Sequence, residues 1–140
     1  MPATRLPAAS NLERARQYLK AIENGAAFNT LAEFFSPDIV AEWFPHRLAP
    51  DGERRNLSGL RMSAERDQKI MTSQSYEIRN AIVEGDSVAL EVYWTGSLAV
   101  AFENIPAGGQ VRVHFAMFLT FGMARLFRSG IMVALSPSSF

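Results

Sequence analysis

The chain of 140 residues has the length of one domain with a core large enough to fold unaided. Fourteen basic residues balance fourteen acidic ones, so no net field draws phosphate backbones or anionic lipid, and nucleic acid is not an expected partner. Cysteine is absent and histidine occurs only twice, which removes disulfides, thiolate chemistry and a structural zinc site. The 48% apolar and 20% charged content is that of an ordinary globular protein.

No apolar run approaches the roughly 20 residues that span a bilayer, and the first residues lack the charged-then-apolar order of a signal peptide. The expectation is a soluble, cytoplasmic protein with no membrane partner. Ten Phe, three Tyr and two Trp supply enough aromatic surface to line a cavity.

Ser10 and Glu13 have capping-box spacing, and Leu12, Ala15, Leu19 and Ile22 follow on one apolar stripe before Gly25. This predicts a first helix over about Asn11 to Asn24. Thr30 and Glu33 repeat the capping box ahead of Leu31, Phe34 and Phe35, predicting a second, short helix closed by Ser36-Pro37-Asp38. Ile39 to Phe44 reads as a strand ending at Pro45, and residues 46–56 read as a polar loop. A third helix is expected from Leu60 to Thr72, on a weak stripe between charges.

From Tyr76 the period changes to two. Tyr76, Ile78, Ala81 and Val83 lead into Glu84-Gly85-Asp86, and Val88, Leu90, Val92 and Trp94 alternate away from it, predicting a long hairpin. After a second reversal at Pro106-Ala107-Gly108-Gly109, Val111, Val113, Phe115, Met117, Leu119 and Phe121 form one face of a further strand, opposite Arg112, His114, Ala116, Phe118 and Thr120. Helices first and strands last is the order of an α+β fold with helices packed on one face of a bent antiparallel sheet.

Three stretches carry a family resemblance. Gln17-Tyr18-Leu19-Lys20-Ala21-Ile22-Glu23-Asn24-Gly25, continued by Leu31-Ala32-Glu33-Phe34-Phe35 and Pro37-Asp38-Ile39-Val40, resembles the opening of the SnoaL-like and ketosteroid-isomerase-like branches of the nuclear-transport-factor-two-like superfamily. Leu57-Ser58-Gly59 resembles the family's entry to helix three. Val88 to Val92 with Gly96, and Val111 to Phe118, are similar to its long strands. The resemblance covers residues 11–121 and implies a cone-shaped shell, with an apolar pocket on the concave side of the sheet and a homodimer through the convex side. It also implies a cofactor-independent acid/base enzyme of isomerase, cyclase or hydratase kind, or a non-catalytic binding or dimeric interaction module. The expected partner is a small apolar ligand, with no cofactor and no metal.

Matched position by position, Tyr18 falls where an isomerase has its oxyanion Tyr. Phe44 stands where the base precedes a Pro, and Met117 where a neutral acid belongs. Ketosteroid isomerisation is therefore not expected. The candidate catalytic residues are Tyr18 as hydrogen-bond donor, and Glu42 or His46 as proton carrier. Each has a plainer reading: Tyr18 as a core aromatic, Glu42 as a solvated charge, His46 as a loop residue. The strand register decides whether Glu42 or Trp43 faces the pocket. Phe44, Trp94, Val92, Phe115 and Met117 are expected to line the pocket or fill the core. Asp38 reads as a turn residue and His114 as an interface or surface residue. Glu91 and Arg112 read as a cross-strand pair.

The resemblance stops after Phe121. Residues 1–121 hold 12 basic and 14 acidic groups, whereas 122–140 hold two Arg and no acid. The codons of Gly122-Met123 read in a shifted frame permit Asp-Gly, the family's usual turn, and those of Gly130-Ile131-Met132 permit Asn-Tyr-Gly. The tail thus reads either as a frameshifted last strand or as a divergent one. Ile131 to Leu135 remains apolar and β-prone enough to take that strand's place.

Overall fold

In a computed structural model, which describes residues 8–134, the first apolar stripe forms α1 (Ala8–Glu23). It starts three residues earlier than expected, so Ser10 lies inside the helix and not at its cap; Ala8 and Ala9 have the helix propensity to extend it. The helix ends at Gly25, whose φ of +73° lets Gly25 N–H donate to Ile22 O (3.0 Å) and Ala26 N–H to Ala21 O (3.1 Å). The short second helix is α2 (Phe28–Leu31), continued by a 3-10 turn over Ala32–Phe34. Its entry at Ala27 carries no side-chain cap, so the Thr30–Glu33 box is not used; buried Phe28 and Leu31 anchor it instead.

The first strand, β1 (Phe35–Trp43), begins four residues before Ile39 and runs through Pro37. Pro37 falls where the pairing with the last strand skips from Phe35 to Val40, so its missing N–H interrupts no ladder bond. The presumed loop contains a three-residue strand, β2 (Glu53–Arg55), paired antiparallel to β1. The turn between them requires Gly52, because a Cβ there would stand 2.5 Å from Trp43 O. Next comes α3 (Leu57–Ile70), started by Asn56, whose Oδ1 accepts from Gly59 N–H at 2.9 Å.

The remaining chain is strand: β3 (Met71–Glu84), β4 (Ser87–Leu98), β5 (Gln110–Gly122) and β6 (Arg125–Ala134). The sheet order is β2-β1-β6-β5-β4-β3. All pairings are antiparallel except β1 with β6, which is parallel. The six strands form a curled, unclosed sheet. The tail does supply the last strand, with Ile131 opposite Met117; Leu135 lies outside the described residues.

Period two sorts the side chains as the sequence predicted. Val88, Leu90, Val92, Leu119 and Leu126 are buried under Ala15 and Leu19 of α1, and burying each of the larger ones is worth about 1.5–3 kcal/mol. The opposite phase faces outward. There His114 stacks on Tyr93 (centroids 4.1 Å, 7° between planes) and its Nε2 lies 2.8 Å from Glu91 Oε2. Glu91 is thus taken by His114; Arg112 stands opposite Thr95, too far along the strand to form the expected pair with it. Among the described residues no helix is long and apolar enough to cross a membrane.

Candidate functional site

The concave side of the sheet and the helices over it enclose a cavity of about 180 Å³. Its floor is apolar: Ile39 and Ala41 from β1, Phe115 and Met117 from β5, Ile131 from β6. Tyr18 and Ile22 of α1 form one wall. Leu60, Ala64 and Asp67 of α3 form the other, with Gln74 and Tyr76 of β3 between them. Gln68 is the exposed member of the lining and marks the mouth.

Tyr18 is held by a tilted ring contact to Phe34 and an edge contact to Phe35, both at 5.5 Å between centroids. Its hydroxyl makes no hydrogen bond to another described residue, and among the described residues no side-chain polar atom is sealed in without a partner, so this hydroxyl opens onto the cavity. Burial pushes its pKa up to about 12. Tyr76 is raised further, chiefly by burial and then by Tyr18, Asp67 and Glu23. Its hydroxyl reaches Gln74 Oε1 at 3.4 Å, and its backbone N–H, on the edge strand, donates to Glu23 Oε2 at 2.6 Å. Both phenols are therefore hydrogen-bond donors at neutral pH and not bases.

Among the described residues the cavity wall carries one carboxylate, Asp67, which the sequence reading passed over. It follows Leu60 and Ala64 at steps of four and three, a charge on the apolar face of α3; that spacing was the available signal. Its carboxyl makes no hydrogen bond to a described residue and lies 3.9 Å from Arg66 Nε. Although 42% of the side chain is exposed, desolvation raises its pKa from the ordinary 3.8, against the lowering effect of Arg66 and Arg55. Arg55, the one cation on the wall among the described residues, is paired with Glu53 and stacked over Trp43 at 4.6 Å.

Other candidates lie elsewhere. The register turns Ala41 and Trp43 inward and Glu42 outward, where Glu42 meets Arg54 at 3.6 Å. His46 stays in the loop, its Nδ1 accepting from Leu48 N–H at 3.2 Å, because the chain leaves the sheet after Trp43. Phe44 shares the outward phase and lies over Gly130, 3.2 Å from where a Cβ would stand. Val92 is fully buried core, and Trp94 faces inward but spends its indole N–H on Gln74 of the wall. Phe115 and Met117 do line the cavity. Among the described residues, no three His, Asp or Glu come together as a metal site.

A model of the SnoaL-like domain matches residues 15–127. The chain belongs to the SnoaL-like domain family. No curated protein sequence matches it. Among solved structures, this SnoaL-like domain is similar to AclR from Streptomyces galilaeus, with TM-score 0.76 and 19% identity over 94% of this chain and 83% of that one. It is also similar to a LEH-like epoxide hydrolase from M. tuberculosis (0.72, 14%, 91% and 84%) and to a SnoaL-like polyketide cyclase from Agrobacterium tumefaciens (0.64, 19%, 89% and 91%). At these identities the likeness is one of fold. The matched span ends before Ser129 and Ile131, which nevertheless line the cavity of this SnoaL-like domain from β6.

Proposed function

We propose that this protein binds a small, largely apolar molecule with one oxygen function, and acts on it by cofactor-independent acid/base chemistry of the isomerase, cyclase or hydratase kind. The observation that carries this is the cavity itself: an apolar floor of Ile39, Met117 and Ile131 meets one phenol donor, Tyr18, whose hydroxyl makes no hydrogen bond to another described residue. A volume of about 180 Å³ suits a one- or two-ring compound. The fold neighbours include a polyketide cyclase and an epoxide hydrolase, which supports the reaction class by analogy of fold.

The test is a two-dimensional NMR titration with 2-naphthol. Saturable shifts at Tyr18, Ile39 and Met117 are expected, with binding weakened about tenfold in Tyr18→Phe, the loss of one hydrogen bond. Shifts scattered over the surface, or none, would reject the reading. Binding without turnover of any carbonyl compound would instead favour a binding module. The protein is further proposed to work in the cytoplasm as a homodimer, supported by an outward row of Ile82, Ala89 and Phe118 that crosses β3, β4 and β5 beside Met132.

A further inference from the structure

We propose that the seam between α3 and residues 26–29 is the entrance to the cavity, and that Arg61 and Gln68 are the clasp that closes it over a bound ligand. The proposal rests on the ligand-binding reading above and adds the route by which that ligand enters.

The two long helices are held differently. Ala15 and Leu19 of α1 are buried in the core, whereas no residue of α3 is fully buried. Leu60, Ala64, Asp67 and Gln68 of α3 line the cavity, so this helix spans a space where α1 rests on packed side chains. An element with so little buried surface opens at a lower free energy than the core beneath it. Its ends are tied to the sheet: Asn56, which caps it, directly follows β2, and Ile70 passes without a linker into Met71 of β3. The helix can tilt away from its neighbour but cannot leave the fold.

That neighbour is the bend from α1 into α2. Ala26, Phe28 and Leu31 form one bank of the cavity there, and Leu60, Ala64 and Gln68 the other. Two side chains of α3 cross between the banks. Gln68 Nε2 donates to Ala26 O at 3.5 Å, and Arg61 Nη2 donates to Asn29 Oδ1 at 3.3 Å with its guanidinium 4.6 Å from the centre of the Phe28 ring. Positions 61 and 68 are about two helical turns apart and lie on one face, so the pair fastens the seam at two points. Both links are exposed to water, where a protein hydrogen bond exchanges readily for one to solvent, and closed and open seams interconvert. Beneath the clasp the banks are apolar, Phe28 and Leu31 on one side and Leu60 and Ala64 on the other, which suits passage of an apolar molecule.

Because the chain has no cysteine, the seam can be locked at one chosen place. In the double variant Asn29→Cys with Arg61→Cys, a short bismaleimide joins the two thiols where one link stood; these positions and Gln68 are exposed, so the fold is expected to be kept. NMR line shapes in the 2-naphthol titration give association and dissociation rates. The bridged protein is expected to bind and release 2-naphthol at least about tenfold more slowly than its unbridged form. The unbridged form and Gln68→Ala, each short of one link, are expected to exchange ligand about fivefold faster than the native protein with Kd within about twofold, because a clasp on the closed state changes both rates together. Native rates in the bridged protein at native affinity would overturn the entrance and leave the ligand-binding reading intact. A weaker Kd with an unchanged association rate in Gln68→Ala would make Gln68 a ligand contact and overturn the clasp. Failure of 2-naphthol to bind the native protein would overturn both readings.

Discussion

Trp94 Nε1–H donates a 3.0 Å hydrogen bond to Gln74 Oε1, and the Tyr76 hydroxyl reaches the same oxygen at 3.4 Å. Register explains the meeting: Tyr76 stands opposite Trp94 on β4 and Gln74 opposite Gly96, where the indole lies so close that a Cβ would meet it at 2.5 Å. One amide oxygen of the cavity lining thereby satisfies two half-buried donors. Gln74→Leu strands both, so a loss of about 1–3 kcal/mol in urea unfolding is expected. A smaller loss would show that water replaces the amide. Gly96→Ala should be destabilising too, by displacing Trp94 from this bond.

Alkaline stability follows from the two phenols. Their folded-state pKa values are raised from 10.0, to about 12 for Tyr18 and higher for Tyr76. Above pH 10 the unfolded chain loses these protons first, so the native state binds more protons and stability falls as pH rises through that window. In a spectrophotometric titration at 295 nm, Tyr18 and Tyr76 should ionise only as the protein unfolds. Tyr18→Phe, which keeps the contacts to Phe34 and Phe35, should leave the midpoint at pH 7 nearly unchanged and reduce the alkaline decline. An ordinary titration of all three tyrosines would contradict this.

The β5–β6 hairpin turns through Met123 and Ala124, both with positive φ (+52° and +64°). Consecutive positive φ values are what Asn-Gly or Asp-Gly supply at such a turn, whereas Met and Ala are strained there by about 1 kcal/mol each. Arg14 Nε donates to Ala124 O at 3.1 Å and helps to hold the turn against α1. The double variant Met123→Asn with Ala124→Gly should therefore gain about 1–2 kcal/mol. An unchanged melting midpoint would show that the turn is unstrained. The same place is where the shifted frame reads Asp-Gly; sequencing gene and transcript across codons 118 to 140 is expected to find a base slip or loss, and an uninterrupted frame would remove that origin.

Association is tested at Phe118, 47% exposed on the outward face, with Met132 and Ile82 still more exposed. A charge there opposes burial in an interface but touches no core residue. The native protein is expected to sediment as a dimer at micromolar concentration and Phe118→Asp as a monomer with an unchanged melting midpoint. A monomeric native protein would exclude the homodimer.

The alternation of Val88 to Trp94 and of Val111 to Phe121, the stripe of Leu12 to Ile22 and the punctuation at Gly25 and Gly85 were enough to set the α+β order and the inward phase of the long strands. These signals are local: a period of two or 3.6 assigns a face whatever lies opposite. Tyr18 was singled out by the family resemblance and not by the stripe of Leu12, Ala15, Leu19 and Ile22, and only the tertiary structure placed it on the cavity lining. The facing of Glu42 was not legible, because a strand of the pattern Ile39-Val40-Ala41-Glu42-Trp43-Phe44 has apolar residues in both phases, and only pairing with Arg54 and Gly130 turned the carboxylate outward. Asp67 was missed for the converse reason. On a helix of weak amphipathicity a lone Asp reads as solvated, and only the closure of α3 over β1 and β3 removes part of its water and makes it, among the described residues, the one carboxylate on the cavity wall with Tyr18 and Tyr76.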